Sequence, residues 1–371
     1  MGSNSKHIQW WEPQVGQEEK QILLDVLNSN FLNDGEFTAR FESNLAKLLN
    51  CRHAVAVTSG TSALFLALVA NGIGHGDEVL VPDITFIATA NAVVMAGAKP
   101  VLVDVDPQTL NISPEEIEKT ITSKTKAIIP VHISGRPADM PSILKIACDH
   151  NLLVIEDAAE ALYSKLDGKS LGTHGEAGII SFSPNKTITT GQGGVVLTNN
   201  GALEGKLREL KDQGRPVRGT GGNDKHDCVG YNFKLTNIQA AIGIAQLQKI
   251  EARTNKMKQT YLQYVDGLKN IEGLTLFPFK VERGEIPQWV DALSPVRDEL
   301  VEYLTRKNII CRKFWFPLHT QKPYSLPDNQ FPKSTDLSSK AFWLPSSFLL
   351  SETEIEKVCQ YIRKFFEKSG Q

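Results

Sequence analysis

The sequence predicts an α/β protein: a three-layer α/β/α large domain followed by a smaller α+β C-terminal domain. Three observations carry that expectation. From residue 54 onward, short apolar runs alternate with stretches of helical periodicity. The apolar runs are rich in Val and Ile and barely alternate with polar residues, the pattern of strands covered by helices on both faces. Short Gly, Pro and Asp punctuation separates successive units, as in the βα connections of a mainly parallel sheet.

In chain order, residues 17–29 and 37–50 read as amphipathic helices, the second with Phe37, Phe41, Leu45 and Leu48 on one face. Strands are expected at 54–58, 78–82, 100–103, 126–132, 152–157, 178–183 and 194–198, with helices at 61–71 and 86–96. The run Gly72-Ile73-Gly74-His75-Gly76 precedes a strand instead of opening a helix, so it reads as a helix C-cap and turn and not as a dinucleotide fingerprint. Residues 236–268 read as one long helix, a spine joining the two parts. That places a boundary near 250, with a large domain at 1–250 and a smaller one at 251–371 built around Pro-rich loops.

Composition narrows the classes. A chain of 371 residues suits two domains, and 41% hydrophobic with 22% charged residues is ordinary for a globular enzyme. Lys plus Arg numbers 40 against 42 for Asp plus Glu, a net charge of −2 that gives no electrostatic reason to expect nucleic acid or an anionic membrane as partner. No apolar run approaches the roughly 20 residues that span a bilayer. Met1 to Lys6 shows no apolar signal core, so no secretory route is expected. The cysteines (Cys51, Cys148, Cys228, Cys311, Cys359) are odd in number, scattered and never spaced C-x-x-C, which reads as reduced thiols with no metal site. Without a secretory route the glycosylation-like triplet Asn111-Ile112-Ser113 carries no weight. A cytoplasmic protein is the expectation.

In an open α/β sheet, ligands bind beyond the carboxyl ends of the strands. Three clusters lie there. Thr58-Ser59-Gly60-Thr61-Ser62 runs from a strand end into a helix start, where backbone N–H groups and the helix dipole can meet a phosphate; taken alone, these residues read first as a plain N-cap. Asp157 ends a hydrophobic strand and can face a ligand, although Asp157 or Glu156 could instead cap a following helix. Lys186 follows a strand in a loop dense with Ser, Thr, Asn and Gly (Ser181 to Gly194), 29 residues after Asp157. A lysine that forms a Schiff base must be neutral near pH 7, which partial burial achieves. Lysine, aspartate and phosphate cup together are the parts that pyridoxal phosphate chemistry needs.

In order and spacing these clusters resemble the DegT/DnrJ/EryC1/StrS family of sugar aminotransferases. The likeness extends through Gly76-Asp77-Glu78-Val79, Ala98-Lys99-Pro100-Val101 and Gly230-Tyr231-Asn232-Phe233. The stretch from Ser183 to Gly194 is most similar to the family's perosamine synthases. The resemblance implies a type I, aspartate aminotransferase-like fold and pyridoxal 5'-phosphate as cofactor, passing through pyridoxamine 5'-phosphate in turnover. By position it makes Lys186 the Schiff-base lysine and proton shuttle, and Asp157 the partner of the pyridine nitrogen. Thr61, Ser62 and Ser181 would hold the phosphate, Phe86 would stack on the ring, and Glu160 would sit at its phenolic oxygen. Asn232 would reach the phosphate of a neighbouring subunit, implying a homodimer with shared sites. Helix capping remains an alternative for Ser62 and Glu160. Two positions depart from the family: Glu160 stands where Gln or His is frequent, and Gln192 where many relatives carry Glu.

The implied reaction takes an amino group from L-glutamate to a keto-sugar, most simply C4 of a nucleotide-linked 4-keto-6-deoxyhexose. An oxidised octulosonate or a keto-sugar phosphate is the alternative acceptor, and a non-catalytic cofactor-binding regulator is the alternative class. In the C-terminal half, Trp289 with Asp291 and the segment Arg312 to His319 fall where relatives touch substrate. Arg312, Lys313 and His319 are candidates for a substrate phosphate or the donor carboxylate, while Trp315 and Phe316 read first as core.

Overall fold

The computed structural model describes residues 7–217 and 224–369. Helices α1 (Gln17–Ser29) and α2 (Glu36–Leu49) precede the sheet. Then come β1 (His53–Val57), α3 (Gly60–Ala70), β2 (Glu78–Pro82), α4 (Ala88–Met95), β3 (Lys99–Val103), α5 (Pro114–Thr120), β4 (Thr125–Ile128), α6 (Met140–His150) and β5 (Leu153–Asp157). A small hairpin, β6 (Lys165–Leu166) and β7 (Lys169–Ser170), leads to β8 (Ala177–Ser181), β9 (Gly194–Thr198) and α7 (Gly201–Lys211). Helices α8 (Asn237–Leu247) and α9 (Ile250–Gly267) follow. The remainder holds β10 (Thr275–Leu276), β11 (Val290–Leu293), α10 (Arg297–Thr305), β12 (Arg312–Lys313), α11 (Pro332–Lys340), β13 (Ala341–Leu344) and α12 (Glu352–Ser369).

Seven strands form one sheet in the order β1-β9-β8-β5-β4-β2-β3, and β10-β11-β13-β12 form a second. Every pair from β3 to β8 is parallel, whereas β9 runs antiparallel to both β8 and β1. The reversal has a local cause. Parallel neighbours need a crossover of a dozen or more residues, usually a helix, and the β8–β9 connection holds Pro184, Gly191 and Gly193 in place of one. That helix-free connection carries Lys186.

The strands β1, β2, β5, β8 and β9 are almost wholly buried, and apolar side chains of α3 and α4 pack with them in one core. Burial on both faces explains why the strands read as continuous apolar runs. The 236–268 stretch is two helices, not one. No Pro or Gly marks the break; tertiary contacts do. Gln246 Nε2 donates to the carbonyl of Gln14 and to Glu19, and Lys249 pairs with Glu18 and Glu19. The chain's start packs against the C-terminal part, with Ile8 bridging Ile309 and Trp10 beside Trp289 and Trp343. All five cysteines are free. Asn111 is buried, donating to the Arg136 and Pro137 carbonyls, so its side chain is a structural fastener. Among the described residues no helix is long and apolar enough to cross a membrane.

Candidate active site

The carboxyl ends of β1, β2, β5 and β8 open into one cavity of about 260 Å³, roofed by Trp289, Arg312 and Trp315 from the C-terminal part. Its floor is set by sequence logic. Each strand is a buried apolar rod, and the first polar residues past its end face the cavity.

Past β1, Ser59 caps α3 by accepting from the Ser62 N–H at 3.1 Å, and Ser59, Gly60 and Thr61 line the cavity at that helix's positive end. Ser181, at the end of β8, lies across from them. A Cβ on Gly194 would come within 2.4 Å of the Ser59 carbonyl group, so only glycine lets β9 pass this turn. Ser62 does not line the cavity. Its hydroxyl is held by Ser59 at 2.5 Å and Thr58 at 3.0 Å, a capping arrangement that turns it away from any ligand. The serine facing the cavity is Ser59, the N-cap, three residues before Ser62.

Asp157 is buried at the end of β5 and lines the cavity. Oδ2 accepts from the Thr89 hydroxyl at 2.9 Å and Oδ1 from the Ala159 N–H at 3.2 Å. Burial pushes its carboxyl up, against the pull of those two bonds and of the Lys186 charge. A cationic partner within the cavity would favour the ionised form. No helix follows β5 for Asp157 or Glu156 to cap. Glu156 points away into a buried knot, accepting from His132 Nε2 at 3.0 Å and from the N–H groups of Gly172, His174 and Gly175. Burial works to raise its carboxyl, but these bonds together hold it below the ordinary range. His132 Nδ1 accepts from the Ala138 N–H, so the proton toward Glu156 sits on Nε2.

Lys186 Nζ lies 3.4 Å from Glu160 Oε1 and 4.9 Å from the centre of the Trp289 ring. Glu160 Oε2 accepts from the Ser134 N–H at 2.9 Å. Burial pushes the Glu160 carboxyl up to about 7, and the Asp157 charge adds to the rise while Lys186 and Ser134 oppose it. Ser134 adopts a left-handed backbone (φ 53°), and its hydroxyl donates to Asp291, which Arg136 pairs at 2.7 Å.

Phe86 lines the cavity with half of its surface exposed. Arg312 reaches the cavity with its guanidinium 4.7 Å over Trp10. Lys313 does not: successive side chains of a strand point to opposite faces, and Lys313 pairs with Asp298 at 2.9 Å. His319 is also displaced from the site. It is fully buried, bonded to Asp83 at 2.6 Å and stacked on Phe331, so it cannot meet a substrate. Asn232 is exposed away from the cavity and accepts from Lys234 at 3.3 Å. Thr85 and Thr89 also line the cavity without having been singled out: Thr85 lies just beyond β2, and Thr89 sits in the first turn of α4, where no local signal marks it.

The donor set tests well against pyridoxal 5'-phosphate. An amide-and-hydroxyl cup at a helix N-terminus suits its phosphate, a deep carboxylate suits its ring nitrogen, and an amine stands within the same cavity for its aldehyde carbon. These features place the protein in the class of pyridoxal-phosphate-dependent aminotransferases with the aspartate aminotransferase-like fold. Comparison with known proteins agrees and goes further. The chain belongs to the DegT/DnrJ/EryC1/StrS aminotransferase family, whose model matches residues 13–363. It is 37% identical over 369 residues to GDP-perosamine synthase of Escherichia coli O157:H7, covering 97% of this chain and 99% of that one. It is 38% identical over 356 residues to GDP-perosamine synthase of Caulobacter vibrioides, covering 93% and 95%. The solved structure of S. venezuelae DesV in complex with a ketimine intermediate superposes with a TM-score of 0.90 at 30% identity, over 94% of each chain.

Proposed function

We propose that this protein transfers the amino group of L-glutamate to the keto carbon of a nucleotide-linked 4-keto-6-deoxyhexose, and that it works in the cytoplasm. The observation that carries the reading is Lys186 Nζ, held 3.4 Å from Glu160 in the cavity that Asp157 closes. The near-full-length likeness to two perosamine synthases supports the choice of acceptor. Glutamate leaves as 2-oxoglutarate, whose keto oxygen comes from a water taken up in that half-reaction, and the acceptor's carbonyl oxygen leaves as water in the other, so no water is gained or lost overall.

Bound in the cavity, pyridoxal phosphate supplies an electron sink and carries the amino group between the two half-reactions. The protein's residues do the rest. Ser59, Gly60, Thr61 and Ser181 bind the phosphate. Asp157, fixed through both oxygens by Thr89 and Ala159, keeps a carboxylate against the ring nitrogen. Lys186 holds the cofactor covalently at rest and moves a proton when freed. Glu160, ionising near neutrality, accepts that proton from Nζ or returns it. Arg312 at the mouth offers a planar cation for a carboxylate or a phosphate. We further propose a homodimer in which Asn232 completes the neighbour's phosphate site.

Lys186→Ala should lose the visible absorption of the loaded enzyme and all turnover; a variant that keeps either overturns the assignment. The acceptor is tested by feeding the aminated enzyme a panel that includes an oxidised octulosonate and a keto-sugar phosphate. Discharge by one of those, and not by the nucleotide sugar, would replace the acceptor named here.

A further inference from the structure

No helix or strand holds Lys186; it lies in the β8–β9 connection. A free lysine side chain samples many rotamers, so its ammonium stays put only if both backbone and tip are fixed from elsewhere. The segment that leads into the second sheet supplies both, through two adjacent residues just before β11. Gln288 is buried, and its Nε2 donates to the Asn185 carbonyl at 3.3 Å while its Oε1 accepts from the Thr187 hydroxyl at 2.5 Å. Asn185 and Thr187 are the two chain neighbours of Lys186, so one amide holds the backbone carbonyl before it and the side-chain hydroxyl after it. Trp289 then sets its ring face 4.9 Å from Lys186 Nζ. The Trp289 Nε1 is buried and has no partner among the described residues, so the indole serves through its face and not its N–H. The same segment is tied to Glu160: the Gln288 N–H donates to the Ser134 carbonyl at 2.8 Å, and the Ser134 N–H donates to Glu160.

We propose that Gln288 and Trp289 are the positioning residues of Lys186, Gln288 holding the Asn185 carbonyl and the Thr187 hydroxyl on its two sides and Trp289 carrying its ammonium, so that Nζ is presented to the cofactor beside Glu160. This rests on the reading of Lys186 as the cofactor-binding lysine. It adds that the segment leading into the second sheet, not the loop itself, sets where that lysine points.

The test follows cofactor capture, separately from turnover. Apoenzyme is mixed with pyridoxal phosphate and growth of the visible band is timed for wild type, Gln288→Met, Thr187→Val, Thr187→Ser and Trp289→Phe. Losing near-attack geometry should slow capture by roughly 10- to 100-fold in Gln288→Met. Thr187→Val should be slowed and Thr187→Ser should approach wild type, because only the hydroxyl matters. The pair Gln288→Met with Thr187→Val should be far from additive, since both cut one bond. Trp289→Phe, which keeps a ring face, should capture faster than Trp289→Leu. Wild-type capture by Gln288→Met with only a lower melting temperature would overturn the proposal, as would Thr187→Ser no faster than Thr187→Val. If Gln288→Met fails to fold, the two threonine variants carry the test alone. A Lys186→Ala apoenzyme that still develops the band would instead overturn the underlying reading.

Discussion

Replacing Glu160 by Gln should make the apoenzyme less sensitive to alkaline pH, and the size of the effect can be worked from the site. Glu160 is buried, and its carboxyl rises from an ordinary 4.5 to about 7, chiefly through burial and secondarily through Asp157. A group whose pKa is raised on folding contributes stability that is fully present below its unfolded value. That contribution is lost as pH climbs through the folded value. Between 4.5 and about 7 the loss is about 1.4 kcal/mol per pH unit, on the order of 3 kcal/mol in all. Most of that window lies between pH 5.5 and 8.5, where the wild-type apoenzyme should lose about 2 kcal/mol that Glu160→Gln does not, because the amide never ionises. The Lys186 charge pulls the Glu160 carboxyl down and so keeps this window from being wider.

Denaturant unfolding of both apoenzymes at the two pH values measures the difference directly, and other titrating groups cancel in the comparison. Parallel stability loss in the two proteins would refute the reasoning, because it would mean that Glu160 ionises as it does in the unfolded chain. A larger loss in the Gln variant would reverse the sign and point to a carboxylate stabilised by Lys186 at every pH tested. Turnover gives a second readout: the rising limb of the wild-type pH profile near 7 should be missing from the variant.

Three further outcomes are expected. If sites are shared, mixing inactive Lys186→Ala with inactive Asn232→Ala subunits should restore up to about a quarter of wild-type activity, since one hybrid site in each mixed dimer carries both residues; no recovery after verified subunit exchange would remove Asn232 from the neighbour's site. Gly194→Ala should weaken cofactor retention at least tenfold and cost about 1–3 kcal/mol in unfolding, because its Cβ would press on the Ser59 carbonyl group; equilibrium dialysis and melting curves check both. Arg312→Ala should raise the KM for the donor or the acceptor, while Lys313→Ala, which loses only an exposed pair with Asp298, should leave kinetics unchanged and stability within about 0.5 kcal/mol.

What could be read from the sequence divides along the range of the interaction. Strands and the residues just past them were legible because both are local: an apolar run ends, and the next polar side chain meets the cavity. Asp157 and Lys186 were found that way. His319 was misplaced because its surroundings are set by Asp83, 236 residues earlier. Lys313 was misplaced for want of a strand assignment, since β12 puts Arg312 and Lys313 on opposite faces. Ser59 and Ser62 look alike in the sequence, and only the start of helix α3 shows that Ser59 is the N-cap lining the cavity while Ser62 bonds back to it from the first turn.

The least legible feature is also the one on which the chemistry depends. The β8–β9 connection reads as a polar loop with a lysine in it, and nothing local says that the lysine is immobile. Its order comes from Gln288 on Asn185 and Thr187, Arg253 on the Thr187 carbonyl, and Trp11 on the Pro184 carbonyl. Each of these partners lies at least 66 residues away along the chain. A loop fastened this way can place an amine as firmly as a helix could, and it leaves the lysine's flanks free of the i→i+4 neighbours that a helix would impose. The reversal of β9 follows from the same choice: with no crossover helix after β8, the chain must turn back beside it. The antiparallel strand and the loop that carries Lys186 are thus two consequences of one helix-free connection.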